Sequence, residues 1–453
     1  MKVWSNIQYF AQTQPDKKAL IFDANCVTYE ELCHAIKEQA DMLDSISDGQ
    51  RVALTMTNPL ATMIAYFAVL LKGGVPCVCD FRWPDAKLRE ICAHYHINYQ
   101  LNDDGVLTEK HKYNHVQQVT DLLHIGFTSG TTGIPKAYYR GENSWIASYK
   151  QNEALMFHPI EVIVAPGPLA HSLSLYACVF ALYTGRTFIG QQHFEAQQCI
   201  RNMQQNDGTF AFMGVPTMLQ QLVNYYAHIP YLHYIFSTGD KLHIALRTRI
   251  QQLFSQATLI EFFGSSEASF ISYNIDNSAP AQSVGKVFPN VKVQIVEPDN
   301  EGIGLLYVNS DMVFDGYVDA STPTKEWITI GDYAHLDTHQ YLFLHGREND
   351  RLIIGGKNVY PMEIEKAVVL HPDIEEAVII SRPHAQLGEL AILLYTGSSE
   401  ISYTAMKSHL ITHLARYQVP SKVVKVPKMT YTHSGKIARA HMKERYLKGE
   451  FKG

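Results

Sequence analysis

Long apolar runs are what this sequence most plainly lacks. The longest, ATMIAYFAVLL at residues 61–71, is far short of the ~20 residues that a membrane-spanning helix needs. It follows Asn58-Pro59 and stops at Gly73-Gly74, which predicts a capped, buried helix instead. The opening segment, MKVWSNIQYFAQTQPDKK, is polar and carries no signal-peptide core. Cysteine is sparse: seven residues, all within the first 199, in an odd number and without a regular framework. Cys77 and Cys79 share a strand face, but no second Cys or His pair stands at zinc-site spacing, so they read as small packing residues. The expectation is a soluble cytoplasmic protein in a reducing compartment. Excess positive charge is also absent. A formal net charge of -6 gives no electrostatic case for a nucleic-acid partner.

What is present fits a multidomain globular chain. At 453 residues it exceeds a single core, and 46% apolar with 18% charged residues excludes long disordered tracts. Short apolar runs end in Gly, Pro, Asp or Ser: RVALTMT (51–57), VPCVCD (75–80), EVIVAPGPL (161–169), GTFAFMGVP (208–216), LHYIFSTGD (232–240) and ATLIEFFGS (257–265). Helical spacing fills the gaps, as in YEELCHAIKEQADML (29–43) and TMLQQLVNYY (217–226). Apolar strands alternating with helices imply parallel sheets covered on both faces, with ligands at the strands' carboxyl ends. The pattern changes near HGREND (345–350). Beyond it the order is helix (PMEIEKAVVLH), strand (EEAVIIS), strand (LAILLYT), helix (YTAMKSHLITHLARY) and strand (KVVKVP). In the second of these helices Met406, Leu410, Leu414 and Tyr417 form one stripe. The fold class is therefore α/β: a large N-terminal domain of parallel-rich sheets flanked by helices (1–347), plus a small α+β domain on a hinge (348–453).

One stretch concentrates chemistry. In HIGFTSGTTGIPKAYY (124–139) an apolar strand runs into two glycines, four hydroxyls and a lysine. Gly130 and Gly133 permit a turn of exposed N–H groups, a nest that binds anions. Thr128, Ser129, Thr131 and Thr132 add donors, and Lys136 adds a mobile charge. The spacing is not that of a Walker loop, because Pro135 intervenes and no Ser or Thr follows the lysine. A hydroxyl-rich surface turn is the alternative when the stretch is taken alone.

TSGTTGIPK resembles the phosphate-binding motif of the adenylate-forming superfamily of acyl-CoA synthetases, aryl-acid ligases, peptide-synthetase adenylation domains and luciferases. The resemblance continues in order through VTYEEL (27–32), LLKGGVPCVCDFRWP (70–84), PLAHSLSLY (168–176), FSTGD (236–240), FFGSSEA (262–268), TIGD (329–332), GRENDRLIIGGKNVYPMEIE (346–365) and SGKIAR (434–439). It implies that a carboxylate attacks the α-phosphate of ATP, that pyrophosphate leaves, and that a thiol then displaces AMP from the acyl-adenylate.

The resemblance also distributes the roles. The 128–136 loop would hold the β- and γ-phosphates. Glu267 would hold Mg²⁺, and Phe263, Gly264, Ser265 and Ser266 would line the adenine side with Thr238 and Gly239. Asp332 would accept from the ribose hydroxyls, with Arg347 as a second ribose or phosphate contact. Lys436 would bridge the carboxylate and the α-phosphate from the small domain. His171 would position the acid and gate the thiol path. After domain rotation about Asn349, the Gly355-Gly356 segment would meet the pantetheine tunnel. Departures from the family pattern are Phe263 for Tyr, Ser266 for Thr, Thr238 for Gly, Leu305 for Glu and Asn349 for Asp or Lys.

No acidic residue lies between Pro168 and Tyr176, where amino-acid-activating members usually pair the substrate ammonium. The implied substrate is an amine-free carboxylic acid, with walls from His171–Leu175, 212–216, 237–239 and 263–265 suited to a fatty or aryl chain. The leading expectation is an ATP-dependent acid–CoA ligase for a fatty acid, using ATP, Mg²⁺ and coenzyme A. An aryl- or acyl-acid adenylating enzyme that loads a carrier-protein phosphopantetheine stands second, and a non-catalytic nucleotide-binding relative third. Self-association as a homodimer is left open.

Overall fold

Each short apolar run of the N-terminal part becomes a strand, and the helical segments between them cover the sheets. The computed structural model describes residues 1–113, 121–128, 134–225, 228–320, 326–432 and 436–451. The chain divides into two compact units, one of Met1–Val293, Val308–Ile328 and His339–Tyr341, the other of Gln294–Tyr307, Thr329–Thr338 and Leu342–Gly453.

The first unit holds two sheets. In the nine-stranded one, Lys18–Phe22, Thr187–Gly190, Val162–Val164, Phe210–Gly214, Leu232–Ser237 and Thr258–Ser265 lie side by side and parallel, with antiparallel strands at both edges. In the six-stranded one, Tyr99–Leu101, Arg51–Leu54, Val75–Val78 and Leu122–Phe127 are parallel, again with antiparallel edges. Val162–Val164 and Phe210–Gly214 are buried along their whole length, as strands covered on both faces must be. One face carries a core of Val164, Phe212, Ile235 and Leu259 under Ile200, Leu222 and Ile250 of the covering helices. Each such side chain contributes about 1.5–3 kcal/mol on burial.

Local signals set the helix starts. Thr28 and Glu31 of VTYEEL form a reciprocal capping box: Thr28 Oγ1 accepts from Glu31 N–H (3.2 Å), and the Glu31 carboxylate accepts from Thr28 N–H (2.8 Å). The apolar run 61–71 is a buried helix, Pro59–Leu71, capped by Asn58. Among the described residues no helix is long and apolar enough to cross a membrane. All seven cysteines are free, and six are buried. Burial raises the Cys77 thiol to about 12, which suits packing and not metal ligation.

The second unit contains a five-stranded sheet: Lys357–Val359, Leu352–Ile354, Gly388–Gly397 and Ile374–His384 in that order, with Lys422–Lys425 parallel to Gly388–Gly397. Helices Pro361–Val368 and Tyr403–Leu410 share one of its cores, and Met442 of Arg439–Leu447 belongs to another. The helix expected over 403–417 stops at Leu410 and is followed by turns, in which Thr412 Oγ1 donates to His409 O (2.6 Å). Its apolar stripe still packs as expected, because Leu414 and Tyr417 reach the same core from the turn and a short 3₁₀ segment.

Sequence patterning identified no strands over 286–347, yet Lys292–Val296, Gly304–Asn309, Ile328–Leu336 and Leu342–Arg347 form a four-stranded sheet. Gly304–Asn309 alternates buried and half-buried positions, the period-two signal of a half-covered strand.

Candidate active site

The Lys136 loop leaves the strand Leu122–Phe127 and returns as Ala137–Gly141, its antiparallel neighbour. Thr128 N–H donates to Lys136 O at 2.9 Å, tying the two ends of the loop together. Tyr95, almost wholly buried, pins the exit: its hydroxyl donates to Pro135 O (2.8 Å) and accepts from Ala137 N–H (3.2 Å). Ser129, Gly130, Thr131, Thr132 and Gly133 lie outside the described residues.

Glu267 follows the carboxyl end of Thr258–Ser265, as a strand-end site in a parallel sheet requires. The Ser265 hydroxyl accepts from Glu267 N–H (3.2 Å) and Ala268 N–H (3.0 Å), so the turn carrying the carboxylate is internally fixed. Gly264 owes its identity to sterics. A Cβ there would stand 1.9 Å from the Ser269 carbonyl oxygen, at a break in strand register. Phe263 is half-buried, opposite Ser272.

Two residues outside the expected set organise this region. Tyr317 donates its hydroxyl hydrogen to Glu267 Oε1 at 2.8 Å, and its ring centre lies 5.2 Å from Lys136 Nζ. The expected phosphate lysine and metal carboxylate thus meet on opposite ends of one tyrosine. Arg140, fully buried, donates to Ser266 O, to Met312 O (2.9 Å) and to Ser144 Oγ (3.1 Å), fixing the Ser266 turn from below. Burial pulls the Arg140 pKa down, against the opposing fields of Tyr138, Asp315 and Glu267. Neither residue belongs to a motif of its own; their sequence distance from Glu267 hid the contacts.

On the acid side, His171 precedes the helix Ser172–Thr184 and is half-buried. Ser266 Oγ donates to Ser172 Oγ at 3.1 Å, linking the Glu267 motif to the His171 motif. Arg82 reaches His171 Nε2 at 3.0 Å. Thr238 N–H donates to Gly214 O (3.1 Å), and Gly239 has φ +88°, so the FSTGD turn bends away at the end of Leu232–Ser237.

In the second unit Asp332 and Arg347 are register partners on adjacent antiparallel strands, with Oδ1 to Nε at 3.0 Å. Arg347 also donates to Ile330 O (2.8 Å). Asp332 is buried, whereas half of Arg347 is exposed. Asn349 lies in the one-turn 3₁₀ segment Glu348–Asp350. Gly355 and Gly356 form the tip of a two-residue hairpin, with φ of +58° and +76°, the pair of positive angles that a type I′ turn demands.

Lys436 is exposed on an arm closed by Thr432 N–H to Lys436 O (2.7 Å) and by Lys436 N–H to Thr432 Oγ1 (3.2 Å). Three residues on, Arg439 pairs with both oxygens of Glu365, with Asp350 (3.3 Å), and with Ile379 O. Burial lowers the Arg439 pKa, but the Glu365 and Asp350 carboxylates outweigh it and raise the value overall.

Among the described residues no cluster of three or more His, Cys, Asp or Glu could hold a metal by protein ligands alone. Magnesium commonly takes one or two carboxylates from a protein and completes its octahedron with phosphate and water oxygens. A lone, partly exposed, hydrogen-bonded Glu267 fits an ion that arrives with a nucleotide.

Residues 7–119 and 98–318 match a family model described as AMP-binding enzyme, and residues 363–436 match one described as its C-terminal domain. A protein of Staphylococcus epidermidis, provisionally named long chain fatty acid-CoA ligase VraA, is 45% identical over 452 residues, 99% of each chain. The structure of o-succinylbenzoate CoA synthetase (MenE) from Bacillus subtilis with its acyl-adenylate OSB-AMP aligns with TM-score 0.84, at 21% identity, over 97% of each chain. The same synthetase with ATP and magnesium aligns with TM-score 0.83, at 21% identity, over 97% of this chain and 99% of that one.

Proposed function

The chain belongs to the AMP-binding enzyme family, and we propose that it is an ATP-dependent acid–CoA ligase that activates a long-chain fatty acid. The observation that carries the reading is the Lys136–Tyr317–Glu267 contact, which brings a cation and a carboxylate to one tyrosine. The 45% identical relative with a fatty acid-CoA ligase name supports the acid class. So does the apolar stretch after His171, which carries no carboxylate to Tyr176.

The chemistry brings one anion against a polyanion, so catalysis is mainly charge neutralisation and alignment. Lys136, with the donors of its loop, would hold the terminal phosphates. Magnesium, held by Glu267, would supply charge neutralisation at those phosphates. Phe263 would stack on the adenine, and Asp332, already set by Arg347, would accept from the ribose hydroxyls. Lys436 would neutralise the carboxylate and α-phosphate as the acyl-adenylate forms. Coenzyme A sulfur would then attack the acyl carbon, and AMP would leave.

The two half-reactions would use two positions of residues 348–453, swivelling against residues 1–347 about Asn349. Asp350 is bonded to Arg439 and so moves with the arm of Lys436. The pivot would then be Asn349. The Gly355-Gly356 hairpin would face the pantetheine in the second position. Seven free thiols support a cytoplasmic location.

The test is pyrophosphate release across a panel of carboxylic acids with ATP and Mg²⁺, with thioester formation followed with and without CoA. Release with long-chain acids and CoA-dependent thioester are the expected results. Release without transfer to CoA would move the acceptor to a carrier protein, and silence across the panel would leave only nucleotide binding.

A further inference from the structure

Asp80 and Arg82 follow the strand Val75–Val78, two residues apart, and close a tight local pair. Arg82 N–H and Nε donate to Asp80 Oδ1 at 3.0 and 2.8 Å, and Nη2 donates to Oδ2 at 2.6 Å. Asp80 is buried, with 8% exposure. Burial pushes its carboxyl upward, yet the bonds from Arg82 outweigh this and hold it below the ordinary value. The same Nη2 stands 3.0 Å from His171 Nε2.

A guanidinium has five donors and no acceptor, and it stays protonated in proteins. A hydrogen bond between Arg82 Nη2 and His171 Nε2 can therefore run one way only. Nε2 accepts, so the imidazole is neutral and carries its proton on Nδ1. The chain neighbour of His171 is held as well, since Ser172 Oγ accepts from Ser266 Oγ at 3.1 Å. The ring is thus held by Arg82, and its backbone by His171 N–H to Pro168 O (3.0 Å) and Leu175 N–H to His171 O (3.3 Å).

We infer that Arg82, locked by Asp80, is a positioning residue that fixes His171 as the Nδ1–H tautomer and withdraws Nε2 from proton transfer. His171 then acts on the acid and the incoming thiol as a neutral donor and a wall, not as a general base. The reacting thiol's proton goes to solvent or to the leaving AMP. The consequence for catalysis rests on the proposed ligase function; the tautomer itself does not.

The test reads the tautomer without any substrate. Long-range ¹H–¹⁵N spectra of ring-labelled full-length protein at about pH 8, where an imidazole of ordinary pKa is neutral, are recorded for the wild type. Loss of one signal set in His171→Gln assigns the resonance. The wild type is expected to show the Nδ1–H pattern. Arg82→Ala is expected to shift the population toward Nε2–H, and Arg82→Lys, whose ammonium also only donates, to restore Nδ1–H. Thioester formation from a supplied acyl-adenylate should fall about tenfold in Arg82→Ala, equivalent to about 1.4 kcal/mol, and recover in Arg82→Lys. An Nε2–H pattern in the wild type overturns the inference, even if Arg82→Ala fails to fold; so does an unchanged pattern in a folded Arg82→Ala. The expected pattern in a protein that releases no pyrophosphate with any acid would defeat the ligase reading alone.

Discussion

Tyr317 Oη lies 2.8 Å from Glu267 Oε1 and donates to it, while the ring of the same tyrosine faces Lys136 Nζ. A hydrogen bond to a charged group contributes about 1.5–3 kcal/mol, and an exposed cation–π contact about 0.5–1 kcal/mol. The tyrosine therefore orients the carboxylate more than it holds the lysine. Tyr317→Phe keeps the ring and removes the hydroxyl. It should raise KM for MgATP about tenfold, equivalent to about 1.4 kcal/mol, with kcat less affected. Steady-state kinetics with ATP as the varied substrate at saturating Mg²⁺ measures this, and an unchanged KM would remove the Tyr317–Glu267 bond from nucleotide binding.

Glu267→Gln preserves the shape of the side chain and the site where Tyr317 donates, but removes the charge. The concentration of Mg²⁺ needed for half-maximal pyrophosphate release should rise about tenfold or more, because one anionic ligand is lost. A magnesium titration identical to that of the wild type would place the ion elsewhere.

Lys436 and Arg439 lie on one arm, and Arg439 fastens that arm to Glu365 and Asp350. Lys436→Ala should lower acyl-adenylate formation about 10²–10³-fold, the scale on which single charge-stabilising donors act, while sparing thioester formation from supplied acyl-adenylate. Arg439→Lys retains the charge but loses the fork. It should repeat the same selective loss more mildly, about tenfold, since misplacing a reacting group by about 1 Å can cost up to 10²-fold. Equal losses in both half-reactions would contradict a swivelling arm.

His124 lies in the strand Leu122–Phe127, fully buried, with Nδ1 3.0 Å from Tyr66 Oη. Burial lowers its pKa from 6.5 to about 3, with the Arg140 charge adding to the effect. The folded protein excludes a proton that the unfolded chain accepts near pH 6.5. Stability from this group is thus complete above that pH and falls by about 1.4 kcal/mol per unit as the pH drops toward 3. Urea midpoints between pH 7 and pH 5 should decline, and His124→Gln should flatten the decline by one proton whatever its baseline stability. Parallel slopes in the two proteins would mean that His124 titrates normally.

Much of this architecture is legible in the chain because local chemistry fixes it. Six strands of the parallel sheets fall within apolar runs closed by Gly, Pro, Ser or Asp, and Thr28 to Glu31 writes its own helix cap. Gly264 and the Gly355-Gly356 pair stand where a side chain would collide or strain the backbone. What could not be read are contacts made by distant segments. Tyr317 is 50 residues from Glu267, Arg82 is 89 from His171, and Arg439 is 74 from Glu365. Tyr95, which pins Pro135, gave no sign beyond an aromatic residue at a helix end. The sheet over 292–347 escaped because its strands are only half covered, so its apolar residues alternate instead of running together.

The most direct test of the central claim follows oxygen. If the carboxylate attacks the α-phosphate and the thiol later breaks the acyl C–O bond, one oxygen of the acid must leave with AMP. Long-chain fatty acid labelled with ¹⁸O in both carboxyl positions, turned over with ATP, Mg²⁺ and CoA, is expected to yield AMP carrying one ¹⁸O, read by mass spectrometry of the nucleotide. Unlabelled AMP, or label found in inorganic phosphate beside ADP, would contradict activation through an acyl-adenylate.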